Sequence, residues 1–308
     1  MSQNIDLSKR PQLEPATVAR PFAKNTTPGS ASPVLDSGSN KNPCVENAVD
    51  AVNKPTMNAA ARSWYASARY LRNAEAQALK IVSEEVRDQP ILDLGVGGGR
   101  TVEPLMAISK DYIGLDYAEE MVDVCRSLYP GVDFRHGDAR DLSQFDDNSF
   151  AMVVFSCEGI CMVDHQGRMA ILGEVLRILR PGGIFLFSTM NQDSDDHTRG
   201  YQFPKFQASW NPARLLVRSA RFIQVTAISL ANRYKNKKRD IRTPEFSIIN
   251  DIFHDYSTMI YYVSLENQRK QLDSVGFQAQ ATALDLKGDV IEDAAVVDCI
   301  ITLIARKP

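Results

Sequence analysis

The sequence predicts an α/β fold in which a mainly parallel sheet carries helices on both faces, and three observations support it. Residues 91 to 99, Ile-Leu-Asp-Leu-Gly-Val-Gly-Gly-Gly, read as a buried strand, an acid and a glycine-rich turn opening toward a helix. Two further short strands, Asp111-Tyr-Ile-Gly-Leu-Asp116 and Val132-Asp-Phe-Arg-His-Gly-Asp138, each end in an acid, 21 residues after Gly95 and then 22 residues on. Phe150-Ala-Met-Val-Val-Phe155 is an unbroken apolar run, as a strand covered on both faces requires.

Each element carries its own chemistry. Glycines at 95, 97 and 99 allow backbone conformations closed to side chains with a Cβ and let a ligand approach the main chain. A dinucleotide fingerprint needs a third glycine at position 100, where Arg100 stands instead. Asp93, two residues before the first glycine, suits a ligand carrying an ammonium group. Asp116 is spaced to bridge two ribose hydroxyls, and Asp138 could accept a hydrogen bond from an exocyclic adenine amine.

Taken in order, the Asp93 turn, Asp116, Asp138 and the strand at 150 to 155 resemble the class I S-adenosylmethionine-dependent methyltransferases, over about residues 57 to 190. The resemblance implies a Rossmann-like, doubly wound, mainly parallel seven-stranded sheet with one antiparallel strand, the last, and S-adenosyl-L-methionine as cofactor. It implies that Asp93, Gly95 and Gly97 hold the methionine part, that Asp116 holds the ribose, and that the adenine lies between Tyr117 or Met121 and the pair Asp138-Ala139. The backbone near Phe155 and Ser156 would meet the cofactor's amino group. Glu174 to Ser188 looks like the family's helix, Pro-Gly-Gly turn and fifth strand, and Leu272…Gly276-Phe277 with Val296 to Ile304 looks like its closing antiparallel strands.

Composition fits an enzyme with a large core. The 308 residues are 44% hydrophobic and 24% charged with a net charge of −3. No apolar run reaches membrane-spanning length and the first residues lack a secretory core, so a cytoplasmic protein is expected. Five cysteines without a CxxC pair point to reduced, mostly buried thiols and to no metal site. Residues 1 to 56, with seven prolines among Ser, Asn, Thr and Gly, read as a disordered tail preceding a methyltransferase domain at 57 to 308. A helix through Val86 follows the tail, with Tyr65 and Tyr70 as candidates for a cofactor lid.

The segment 191 to 262 exceeds the minimal fold and is expected to be a helical lid on the substrate side. From Lys205 to Arg242 it holds ten Lys or Arg against Asp240 alone, +9, which leaves the rest of the chain at −12. Residues 213 to 225 could form an amphipathic helix with basic and apolar faces. A solvated basic helix is the favoured reading, an anionic substrate the next, and peripheral membrane contact is not favoured. The absence of an aromatic-studded RNA-binding module or a metal-bound finger weighs against nucleic acid. No obligate protein partner is evident.

The expected reaction is transfer of a methyl group to an oxygen or nitrogen of a small organic acceptor. An oxygen acceptor loses a proton, so His254 is the first candidate for a base and His165 the second; His165 also reads as a first-turn residue after an Asp164 cap. His136 carries little functional weight. Tyr256, Tyr261 and Tyr262 fit an acceptor pocket or an aromatic strand of the core. Methylation of a lipid headgroup or macromolecule through the basic segment, and a cofactor-binding module without catalysis, are the alternatives. Arg100 argues against a nicotinamide-dependent oxidoreductase.

Overall fold

The computed structural model describes residues 48–60, 70–198, 202, 206, 208–252, 254–291 and 298–308. The first four strands, β1 (Ile91–Leu94), β2 (Tyr112–Asp116), β3 (Asp133–His136) and β4 (Phe150–Phe155), are parallel. All residues of β1 and β4 are buried, which explains why they read as continuous apolar runs and not as alternating ones. β5 (Leu179–Asn191) lies beside β4, so the order 3-2-1-4-5 reverses direction between β1 and β4. Such a reversal leaves a crevice at the carboxyl ends of the strands, where open α/β sheets bind ligands.

The helices fill the crossovers: α1 (Asp50–Ala60), α2 (Asn73–Val82), α3 (Val102–Met106), α4 (Glu119–Leu128), α5 (His165–Ile178), α6 (Asp195–Thr198), α7 (Pro212–Asn236) and α8 (Leu265–Val275). Asp164 caps α5 by accepting the Gly167 N–H at 2.8 Å, and Ser264 caps α8 through the Asn267 N–H at 3.1 Å. Gly276 ends α8 at φ +115°, a conformation that favours glycine.

Seven strands keep the expected arrangement. β10 (Ile300–Arg306) runs antiparallel to β5, and β9 (Thr282–Leu284) pairs with β10. Among the described residues the sheet nevertheless has ten strands, because the segment expected to be a helical lid contributes β6 (Ile241–Arg242), β7 (Ser247–Asn250) and β8 (Met259–Val263). β8 joins the end of β5 in parallel at Met190 and Asn191, on the edge where β4, whose last pair is Phe155 with Phe187, has run out. Its alternatives resolve toward the core: Tyr261 and Tyr262 are fully buried in β8, and Tyr256 is buried just before it.

α1 starts inside the expected tail. Asn53 fastens it to the body: its amide donates to the carbonyls of Met162 and Met259 and its oxygen accepts the Met259 N–H, each at 2.8 Å. The tail boundary at 56 therefore falls within an anchored helix. Residues 1–47 and Tyr65 lie outside the described residues.

Arg168 ties the second half of the fold together. Its guanidinium is fully buried and stands 4.6 Å from the Tyr261 ring centroid. It donates to Ile160 O at 3.0 Å, Thr189 Oγ1 at 2.9 Å, Gln271 Oε1 at 3.2 Å and Gln268 Oε1, so one cation links α5, α8, β5 and the turn after β4. Arg168→Met keeps the length and leaves these acceptors unpaired; the expected loss is about 3 kcal/mol, read as a lowered urea midpoint with an unchanged slope.

Candidate cofactor site

The carboxyl ends of β1, β2 and β4 surround a cavity, and the glycine turn forms its floor. Gly95, Gly97 and Gly99 take φ values of +63°, +54° and +85°. A Cβ on Gly95 would stand 2.8 Å from the Phe155 ring, so the turn and the end of β4 are in contact and no side chain fits between them. The backbone is thereby exposed to whatever fills the cavity.

Asp116 closes one wall. Its carboxylate accepts the Gly97 N–H at 2.8 Å and the Ala118 N–H at 2.9 Å, which locks the turn after β1 to the end of β2. Burial pushes its pKa up. Each oxygen keeps a further lone pair for a neighbouring hydroxyl. Tyr117, Met121 and Ala139 line the same end of the cavity, as does Asp138. Although burial works against the charge of Asp138, the guanidinium of Arg140 at 2.6 and 2.9 Å holds its pKa below the usual carboxylate range. Arg140 also reaches Asp50 at 2.7 Å, so α1 is bound to this end.

The opposite end is formed by Tyr70, Arg72, Arg100, Ser156 and Cys157. Arg100 makes a bidentate pair with Glu75 at 2.6 and 2.8 Å and donates to Ser156 Oγ at 3.0 Å. Arg72 pairs with Glu158 and reaches Cys157 Sγ at 3.6 Å. Cys157 and Glu158 both have φ of +56°, a strained pair at the end of β4. Burial pushes the Cys157 thiol pKa up, so it is neutral at pH 7.

Eight of the nine expected cofactor residues therefore meet at one cavity: Gly95, Gly97, Asp116, Tyr117, Met121, Asp138, Ala139 and Ser156. Asp93 is the correction. It does not line the cavity; fully buried beneath the turn, it accepts hydrogen bonds from Thr101 Oγ1 at 2.5 Å and Tyr112 OH at 2.9 Å. Burial raises its pKa to about 6. Asp93 braces the turn from beneath, and the positive charges lining this end of the cavity are guanidiniums. Position 100, read in the sequence only as a missing glycine, supplies one of them.

Residues 91–183 match the family model described as Methyltransferase domain. These residues form a methyltransferase domain. Over 103 residues it is 36% identical to a probable S-adenosylmethionine-dependent methyltransferase of Mycolicibacterium smegmatis, covering 33% of this chain and 38% of that protein. It is likewise 36% identical over 103 residues to a phthiotriol/phenolphthiotriol dimycocerosates methyltransferase of Mycobacterium tuberculosis, covering 33% and 37%. The match thus spans under two-fifths of these relatives' length. An S-adenosylmethionine-dependent methyltransferase from Clostridium acetobutylicum shares the fold at a TM-score of 0.52 and 13% identity, with 76% of this chain and 91% of that chain covered.

The match to a methyltransferase domain and to a relative named for S-adenosylmethionine supports S-adenosyl-L-methionine as cofactor, and the cavity suits its parts. The Asp116 oxygens suit a ribose diol, Met121 and Ala139 a flat base, and the guanidinium-lined end an amino-acid carboxylate.

The two histidines named as bases do not line this cavity. His165 opens α5, accepts or donates at 2.8 Å with Tyr261 OH, and stacks on Phe246 at 4.4 Å between ring centroids. Burial lowers its pKa. His254 sits in a turn with Asp255 and Tyr256 where all three φ values are positive, beneath α7. Tyr70 does line the cavity and is largely exposed.

Asp116→Ala removes two charge-assisted hydrogen bonds worth about 1.5–3 kcal/mol each, so S-adenosylhomocysteine should bind at least about a hundredfold more weakly by calorimetry. Asp93→Asn should retain binding and change the pH dependence of stability instead. A folded-state pKa raised from 3.8 to about 6 gives a contribution that is full below pH 3.8 and is lost as pH rises through 6. The stability of the wild-type chain relative to Asp93→Asn should accordingly fall, by on the order of 2 kcal/mol, between pH 4 and 6.

Proposed function

We propose that the chain transfers the methyl group of S-adenosyl-L-methionine to an oxygen or nitrogen of a small, largely apolar organic acceptor. The observation that carries this reading is the wall of the cavity not needed for the nucleotide, where Met57, Met162, Val163 and Ile171 present apolar surface.

The sulfonium of the cofactor supplies an already activated methyl group. The chain's part is therefore to align and desolvate. Asp116 and the glycine turn fix the ribose end, Arg72, Arg100 and Ser156 fix the amino-acid end, and the apolar wall excludes water from the acceptor's approach. With no imidazole among the described cavity residues, this reading gives His254 and His165 no proton to take. An acceptor that is nucleophilic at neutral pH without a protein base, such as an uncharged amine or an acidic phenol, fits best.

A lipid acceptor is the second reading, favoured by the exposed apolar face of α7 and by a relative named for dimycocerosates. Incubating the chain and a source-cell extract with methyl-labelled cofactor, with Asp116→Ala as blank, separates the two. Label in the soluble small-molecule fraction supports the first reading, and label in the lipid or macromolecular fraction replaces it. On the identified acceptor, His254→Asn should keep the rate within about twofold, since Asn tolerates the left-handed backbone. A drop of about a hundredfold with a shifted pH profile would return the base role to His254.

A further inference from the structure

α7 is a 25-residue helix with two unlike faces. Phe222, Val225, Ser229, Arg233 and Asn236 recur at helical spacing and turn toward the body. Asn236 donates to Tyr256 O at 3.3 Å, Arg233 donates to Asn250 O at 2.8 Å and pairs with Asp240 at 3.2 Å, and Asn232 donates to Asp255 O at 2.9 Å. These contacts all lie in the last third of the helix.

The other face should be polar and is not. Leu216, Ala220, Ile223, Ala227, Leu230 and Tyr234 follow one another at steps of four and three, a continuous stripe about 27 Å long at 1.5 Å per residue. Leu216 is 73% exposed, Ile223 68% and Tyr234 83%. A contiguous apolar stripe of this size marks an interaction surface. At the amino end of α7 stand Trp210, fully exposed, and Phe206, half exposed and edge-on to Phe222.

Charge selects the occupant. No Asp or Glu occurs from His197 to Arg239, a stretch that contains Arg214, Arg218, Arg221, Lys235, Lys237 and Lys238. Two copies of the chain meeting through α7 would bring two such segments together, against their mutual repulsion. An anionic bilayer attracts the same charges while burying the stripe, and exposed Trp at the end of a basic, apolar-faced helix suits the headgroup boundary. Among the described residues no helix is long and apolar enough to cross a membrane, so α7 would lie along the surface.

We propose that α7, with Trp210 at its head, docks the chain on an anionic lipid surface. The helix binds with its stripe in the acyl boundary and its C-terminal lysines at the headgroups. Binding needs neither cofactor nor methyl transfer, so it stands or fails apart from the catalytic reading.

The full chain would be sedimented with phosphatidylcholine vesicles and with vesicles containing about one third phosphatidylglycerol. The expected result is binding to the anionic vesicles alone, weakened by salt and reduced at least tenfold in Ile223→Glu and in the Lys237→Glu, Lys238→Glu double variant. Retained S-adenosylhomocysteine binding by these variants shows that they are folded. No binding to anionic vesicles, or equal binding to both kinds, overturns the proposal. A salt-stabilised dimer by light scattering that Ile223→Glu dissolves, with no vesicle binding, assigns the stripe to a second copy instead.

Discussion

The cofactor end of the fold depends on keeping the Asp116 carboxylate buried where three pieces of backbone converge. A charge so placed is unstable unless it is hydrogen-bonded. Here the donors are the Gly97 and Ala118 N–H groups, and they exist in that direction only because Gly97 takes a left-handed φ and the chain turns sharply after β2. The need to satisfy one carboxylate thus sets the shape of the first turn and the start of α4. The next acid over, Asp93, sits within the same field and takes hydroxyl donors in place of backbone ones, with its pKa raised by burial first and by Asp116 last. Two acids on neighbouring strands divide the work. One lines the cavity, while the other braces the turn from beneath.

Local pattern made much of this legible. The acid-terminated strands, the glycine turn and the Asp164 cap all follow from residues close together in sequence, and the structure has each in place. What local pattern could not reveal was direction. Asp93 points away from the cavity because Tyr112, on the neighbouring strand, and Thr101, past the turn, supply hydroxyls beneath it. That pairing depends on the register of β1 against β2 and has no signature within either segment. The same holds for Arg72 and Arg100, whose partners Glu158 and Glu75 are brought together only by the sheet. Glu75 lies 25 positions from Arg100, and neither spacing nor type marks them as a pair.

The segment after β5 was misjudged for a related reason. A basic, apolar-rich stretch between two recognisable parts of a fold reads as an addition laid over the top, yet its second half is built into the sheet. β8 takes the edge of β5 that β4 leaves free beyond Phe187, and its tyrosines are buried there. Tyr261 meets Arg168 and His165, so an imidazole that looked available for chemistry is committed to an aromatic stack. Once the sheet has claimed β6 to β8, α7 is the main helix left of the insertion, and its last third is anchored to β7 and to the turn before β8.

That division has a physical consequence for the reaction. A cavity whose described residues offer three paired guanidiniums, carboxylates already held by hydrogen bonds, a neutral thiol and apolar surface is suited to holding a preactivated donor in a dry place, and offers little for moving protons. Acceptor choice then rests on what reaches the cavity, more than on any single catalytic group. A helix that presents an exposed apolar stripe beside a run of cations would, on the docking proposed above, control access of that kind by placing the whole body at a surface where apolar molecules are concentrated. On that proposal cofactor holding and acceptor supply would be separate parts of the chain: the first in the strands that local sequence pattern identifies, the second in the segment whose register only the folded sheet determines.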